Sequence, residues 1–357
     1  MAQRRPLPVF LRAYKGPRSY VRPLPHHTVP GRQGSRFTST QTSAINMGTR
    51  MSPGTALVGQ SGKCYVIQQI LQEKENYPLR VYLAQSESEK FVLKNVADFE
   101  YLREIYRRVD GDPYLRLPQD SMVGHSMFVY KYLTTDFLKL PCQLELPLET
   151  TKRVFRDALQ GLAVLHANDI VHNGNIKANN ILVDQEDGKI TDVRLGDIED
   201  AAIVPEGSEI AGRQLGNWMW RSPESHAEGP LNSPSDVFSF AIVCIYAVHK
   251  KVIFAVDESE LGEGEEKLAR VIERQISFFA DQDSIQEFLH HISESPWAEI
   301  FRVIRDGFNK ENPRRPFALW KGVDPVFKDL VLRMTHFNPD KRITAREALA
   351  HEWFKGI

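Results

Sequence analysis

The chain has 357 residues, 42% of them hydrophobic and 25% charged, an ordinary globular composition with length for one large or two small domains. No apolar run approaches the roughly 18 residues of a membrane-spanning helix. Three scattered cysteines, Cys64, Cys142 and Cys244, have the spacing of neither a disulfide framework nor a metal site and suit a reducing compartment. The formal charge of -1 hides an asymmetry: residues 1–72 hold ten Lys or Arg and no Asp or Glu, whereas the remainder carries 35 basic against 46 acidic residues. An acidic folded part argues against nucleic-acid binding.

Residues 1–60 read as a disordered basic segment. The first 50 residues carry nine basic side chains, many Pro, Ser and Thr, and no long apolar periodicity. An Arg-rich, Ser-rich, acid-free start is the composition of an organelle presequence, and Gly34–Thr40 looks like a mitochondrial processing site. Six prolines before position 31 work against an amphipathic helix. A basic tail of a cytoplasmic protein, or a true start at Met47 or Met51, stands as the alternative to mitochondrial targeting.

Beyond that segment, Cys64–Leu71, Leu79–Ala84 and Lys90–Val96 are strand-like runs separated by polar turns. Asp98–Val109 reads as a helix, followed by strand-like pieces at Tyr114–Leu117 and Met127–Leu133. From Thr134 the pattern becomes helical. Phe155, Ala158, Leu159, Leu162 and Leu165 share one helical face, and Ser235–Val248 is apolar enough to be a buried helix. Val326–Met334 and Thr344–Trp353 close the chain, and Gly262–Glu266 is an acidic loop. The expected division is 1–60, a β-rich unit at 61–133 and a helical unit at 134–357.

His172–Leu182 has the skeleton of a phosphotransferase catalytic loop, with Lys177 and Asn180 at the right spacing but Asn175 where an Asp should stand. Around it, Phe91–Lys94, Leu102–Ile105, Tyr130–Leu133, Leu195–Glu199, Ser222–Glu224, Ser235–Phe240 and Asn338–Arg342 follow in order. Together they resemble the motif series of a eukaryotic protein kinase of the Ser/Thr type. The resemblance implies an α+β, bilobal protein-kinase-like fold, with a small β-rich lobe carrying one helix and a larger, mainly helical lobe. It implies ATP and Mg2+ as cofactors and a protein substrate or protein partner. Lys94 would contact the α- and β-phosphates and Glu104 would hold its ammonium. Tyr130 would be the gatekeeper, with Lys131, Leu133 and Asp136 beside the nucleotide. Asp197 and Asn180 would be metal ligands, and Lys177 would steady the γ-phosphate. Asp236 would hold the backbone of the catalytic loop, and Arg342 would pair with Glu224. A His-x-x-Asn loop near D-x-[DE] also occurs in small-molecule kinases of the aminoglycoside-phosphotransferase type, but the Ser-Pro-Glu element, Asp236 and Arg342 favour the protein-kinase branch.

The departures cluster around one centre. Asn175 has a neutral amide with no basicity, and loss of a general base costs about 10²–10⁴ in rate. The stretch Leu71–Pro78, where the family has its glycine-rich phosphate loop, contains no glycine and brings in two carboxylates. Glu199 replaces the D-F-G glycine, and Gly174 replaces an Arg that reads activation-loop phosphate. Asn217 replaces a Thr that bonds the catalytic Asp; an amide–amide bond from Asn217 to Asn175 is the expected substitute. The leading expectation is a pseudokinase. A divergent active Ser/Thr kinase and a nucleotide-independent adaptor are the alternatives.

Overall fold

The computed structural model describes residues 20–23, 50–74, 77–143, 145–211 and 213–357. The processing-like stretch at Gly34–Thr40 and the alternative start at Met47 lie outside the described residues. The chain divides into two units, residues 24–134 and residues 135–357 together with 1–23.

Strand β1 (Tyr20–Pro23) belongs to the second unit. The first unit is β-rich: β2 (Ala56–Val58), β3 (Cys64–Lys74), β4 (Tyr77–Ser86), β5 (Glu89–Asn95), helix α1 (Phe99–Arg108), β6 (Asp120–Met122) and β7 (Met127–Lys131). The strands form one antiparallel sheet in the order β2-β3-β4-β5-β7-β6. Its two edges curl together, because the Gln60 N–H donates to the Ser121 carbonyl at 2.9 Å and the Tyr65 hydroxyl to Asp120 at 3.1 Å. Inside lie Leu57, Tyr65, Ile67, Tyr82, Phe91, Leu93, Met127 and Val129. The period-two alternation of β7 turns Met127 and Val129 into this core, while Phe128 meets Phe99 and Tyr106 of α1. Asp98 caps α1, accepting the Tyr101 N–H, and Arg107 and Arg108 at its C-terminal end complement the helix dipole.

One boundary and one element differ from expectation. The β-rich unit begins before residue 61, since Met51 and Leu57 are buried in its core. The run expected as a strand at Tyr114–Leu117 forms no ladder beyond a single β-bridge at Leu115, because the Asp112 carboxylate accepts both the Tyr114 and Leu115 N–H groups. Such local bonds compete with a sheet ladder.

The second unit contains β8 (Thr135–Asp136), α2 (Leu140–Gln143), α3 (Leu148–Ala167), β9 (Ile170–Val171), β10 (Ile181–Glu186), β11 (Lys189–Leu195), β12 (Ala202–Ile203) and β13 (Ser208–Ala211). It continues with α4 (Pro223–His226), α5 (Ser233–His249), α6 (Lys267–Phe279), α7 (Gln282–His291), α8 (Trp297–Asp306), α9 (Pro325–Met334) and α10 (Ala345–Leu349). The predicted apolar face of α3 is buried, and Phe155 meets Phe240 of α5 and Trp353 near the chain end. Nearly every side chain of α5 is buried, which is why its sequence is apolar all round. Short ladders β8-β10-β11 and β9-β12 frame the loop between β9 and β10; β1 pairs antiparallel with β13. The molecule is thus an α+β protein of one β-rich lobe with a single helix and one mainly helical lobe. Among the described residues, no helix is long and apolar enough to cross a membrane.

Candidate active site

The loop between β9 and β10 is fixed from beneath by one buried carboxylate. Asp236, on the first turn of α5 and fully shielded from solvent, accepts the His172 backbone N–H at 2.7 Å and the Gly174 N–H at 3.3 Å. His166 Nε2 lies 3.1 Å from the same carboxylate. The His172 ring turns toward the Gly196 carbonyl at 3.0 Å, which ties the loop to the end of β11. Between these anchors Asn173 and Gly174 both adopt left-handed backbone, with φ of 69° and 73°. Asp236 therefore holds the loop as expected of it.

Four of the expected residues converge within this unit. Asn175, only 8% exposed, donates its amide to Asp197 Oδ2 at 2.8 Å. Asn180 donates to the same oxygen at 3.1 Å and to the Asn175 carbonyl at 2.8 Å. Lys177 Nζ stands 4.0 Å from Asp197. Asp197 itself is held in the left-handed region, at φ 63°, a strained backbone for a residue with a Cβ and a frequent mark of functional geometry.

Asp200 is the residue that the sequence reading missed. A short 3₁₀ turn over Ile198–Asp200 brings its carboxylate to 3.3 Å from the Asn175 amide, and Asn173 donates to its backbone carbonyl at 2.9 Å. The residue is exposed along one side. Even so, the protein packed around its carboxyl, and after that the Asp197 and Glu199 charges, push its pKa up from the usual Asp value. The run Asp197-Ile198-Glu199-Asp200 was visible in the sequence, but only the turn selects which acid faces Asn175.

The expected Asn217–Asn175 bond is replaced by other partners. Asn217 Oδ1 accepts the Met219 N–H at 3.0 Å, while the Asn175 amide points to Asp197 and Asp200. Beside it, Gly216 (φ 79°) packs backbone against Gly174, so a Cβ on Gly216 would lie 1.7 Å from the Gly174 carbonyl oxygen. A Cβ on Gly174 would in turn meet the Leu215 carbonyl at 2.8 Å. No arginine fits at position 174. Arg221 donates to the Gly216 carbonyl at 2.6 Å and Ser225 to the Leu215 carbonyl at 2.8 Å. Arg342 closes the frame with a bidentate, fully buried pair to Glu224, at 2.7 and 3.2 Å.

In the β-rich unit Lys94 is half-buried on β5, between Val81 and Phe128 in register, with Nζ 5.8 Å from the centroid of the Tyr130 ring. Glu104, expected to hold the Lys94 ammonium, has partners on its own helix. Its carboxylate is taken by Arg107 and Arg108 of its own helix, at 2.8 and 3.0 Å, and these bonds hold its pKa down at about 2. The register of α1 turns Leu102, Ile105 and Tyr106 inward instead, and the Tyr106 hydroxyl meets the buried Tyr130 hydroxyl at 2.7 Å. The Lys131 backbone carbonyl accepts from the buried Arg116 at 2.9 Å, and Leu133 is buried. Asp136, in the helical unit, spends its carboxylate on the Leu138 and Lys139 N–H groups and on the Lys139 ammonium. In the glycine-free hairpin, Glu73 is neutralised by Arg80 at 2.7 Å and Arg50 at 3.3 Å, which lowers its pKa. Glu75 lies outside the described residues.

Residues 56–354 match the model of the family described as protein kinase domain. Cyclin-dependent kinase 4 of Xenopus laevis is 27% identical over 301 residues, which is 83% of this chain and 83% of that protein. The cyclin-dependent kinase 4 proteins of Ovis aries and Bos taurus are 29% identical over 209 residues, 58% of this chain and 60% of theirs.

Proposed function

The chain belongs to the protein kinase domain family, and on that premise we propose that it is a pseudokinase. In this reading it is a kinase-fold protein that engages a protein partner, keeps groups for ATP and Mg2+, and transfers phosphate weakly or not at all. The observation that carries the reading is the direction of one hydrogen bond. Asn175 gives an amide N–H to Asp197 at 2.8 Å. A carboxylate at that position would accept the proton of an incoming hydroxyl; an amide nitrogen has no basicity and is here committed as a donor.

The remaining groups fit a nucleotide with Mg2+. The ion prefers oxygen, keeps several waters, and is usually bound through one or two carboxylates plus substrate phosphates. Asp197 offers the carboxylate. Asn180 uses its amide N–H groups on Asn175 and Asp197, so its carbonyl oxygen is the atom for a ligand. The bound ion would supply charge neutralisation to the phosphates. Among the described residues no group of three or more His, Cys, Asp or Glu is gathered to hold a metal by itself. Lys177 beside Asp197 supplies a positive charge, and in this family a lysine at the position of Lys94 supplies another.

The test is a thermal shift of the purified full chain with ATP, with and without Mg2+. Stabilisation that requires both is expected, and the Lys94→Ala variant should lose it. Absence of any shift would favour a nucleotide-independent adaptor. A robust transfer rate abolished by Lys94→Ala would overturn the pseudokinase reading in favour of a divergent active Ser/Thr kinase.

A further inference from the structure

We infer that Asp200 has taken over the proton-accepting role that position 175 has lost, so that the weak transfer left to this chain runs through a carboxylate three residues beyond Asp197. The inference deepens the proposal above and rests on the weak-transfer form of it.

Three observations place Asp200 in that role. Its Oδ2 lies 3.3 Å from Asn175 Nδ2, one hydrogen-bond length from the side chain standing where the family keeps its base. Its backbone carbonyl is held at 2.9 Å by Asn173, so two side chains of the catalytic loop fix it from both ends. As a residue Asp200 is exposed whereas Asn175 is 8% exposed, so position 200 is open to solvent where position 175 is closed. Asp197 is a poor candidate for the same task. One of its oxygens already accepts two amide donors and lies beside the Lys177 ammonium.

In the step, the substrate hydroxyl oxygen forms a bond to the γ-phosphorus of ATP and the bond from that phosphorus to the β-bridging oxygen breaks. The hydroxyl proton passes to the Asp200 carboxylate and from there to water, and ADP leaves with the electron pair. Asn175 acts as a positioning residue, since its amide orients the carboxylate that does the accepting.

The experiment measures transfer from radiolabelled ATP to a degenerate Ser/Thr peptide library and to the chain itself. It uses the full-length protein and the variants Asp200→Asn, Asn175→Asp and the two combined. Asp200→Asn should lower kcat about 10²-fold while leaving KM for ATP and the Mg2+·ATP thermal shift unchanged, and Asn175→Asp in that background should restore transfer. A wild-type rate in Asp200→Asn overturns the inference. So does a loss that the combined variant fails to recover, which would make Asp200 merely structural. A wild-type chain with no measurable transfer also overturns it, and if the Mg2+·ATP shift persists the pseudokinase reading stands alone.

Discussion

The helical unit holds two sets of charged and polar groups that have been treated differently. In the frame, Glu224 meets Arg342 in a bidentate pair shielded from water, and Asp236 satisfies two backbone N–H groups and a histidine. At the reactive centre, a few residues away, the acceptor expected at 175 has become a donor, while the carboxylates at Asp197, Glu199 and Asp200 crowd one another. The contrast teaches where substitution is tolerated. A frame carboxylate has buried partners that would be stranded without it. A catalytic carboxylate exists for the substrate, and its replacement by an amide leaves the folded chain with one more satisfied hydrogen bond.

The comparison breaks most visibly at the frame. Arg342→Ala leaves Glu224 charged and alone in the interior, and urea unfolding should report a loss of about 3–5 kcal/mol. A loss no greater than that of an exposed pair would erase the distinction drawn above. Gly216→Ala, where frame and loop touch backbone to backbone, forces a Cβ against the Gly174 carbonyl and strains a left-handed residue, at a cost of about 1–3 kcal/mol. Its Mg2+·ATP shift should weaken as well, because the loop carrying Asn180 is displaced.

A third prediction concerns pH. His226 on α4 is fully buried, and burial, reinforced by Arg221, holds its ring neutral with a pKa well below the ordinary 6.5. As pH falls below that value the unfolded chain binds a proton that the folded chain refuses. Stability is therefore present above about 6.5 and lost below it, by up to about 1.4 kcal/mol per pH unit. Melting curves between pH 7 and pH 5 should show this slope, and His226→Leu should flatten it. Smaller still is Asn175→Asp, which sets a third carboxylate beside Asp197 and Asp200. It should lower the melting temperature by about 2–4 °C in chelator and recover with Mg2+·ATP. Recovery with ATP alone would argue against metal at Asp197.

The smallest effect belongs to Glu104. Because its partners are exposed arginines of its own helix, Glu104→Ala should change neither the melting temperature nor the nucleotide shift measurably. If the nucleotide shift disappears, Glu104 does hold Lys94 when nucleotide is bound.

Much of the molecule was legible before its structure. The strands around residues 64–96, helix α1, the apolar face of α3 and the all-round apolar α5 follow from periodicity, because period 2 or 3.6 records which side chains meet water. Asp236 and the Glu224–Arg342 pair were found through motif order. Short edge strands escaped: Ala56–Val58 and Asp120–Met122 are only three residues each, too short to carry a pattern. The Tyr114–Leu117 run has strand composition, but Asp112 takes the Tyr114 and Leu115 N–H groups and leaves only a single β-bridge at Leu115.

The sequence by itself determined that the carboxylate at 175 was gone, that glycines were missing from the hairpin, and that the frame charges remained. Those are statements of residue identity at positions fixed by spacing. Only the tertiary structure decided direction and company: that Glu104 turns to its own arginines, that Asn217 bonds the Met219 backbone, and that Asp200 reaches Asn175. Each depends on helical register, a left-handed residue or a 3₁₀ turn, and a rotation of one residue changes the partner while leaving the order of letters the same.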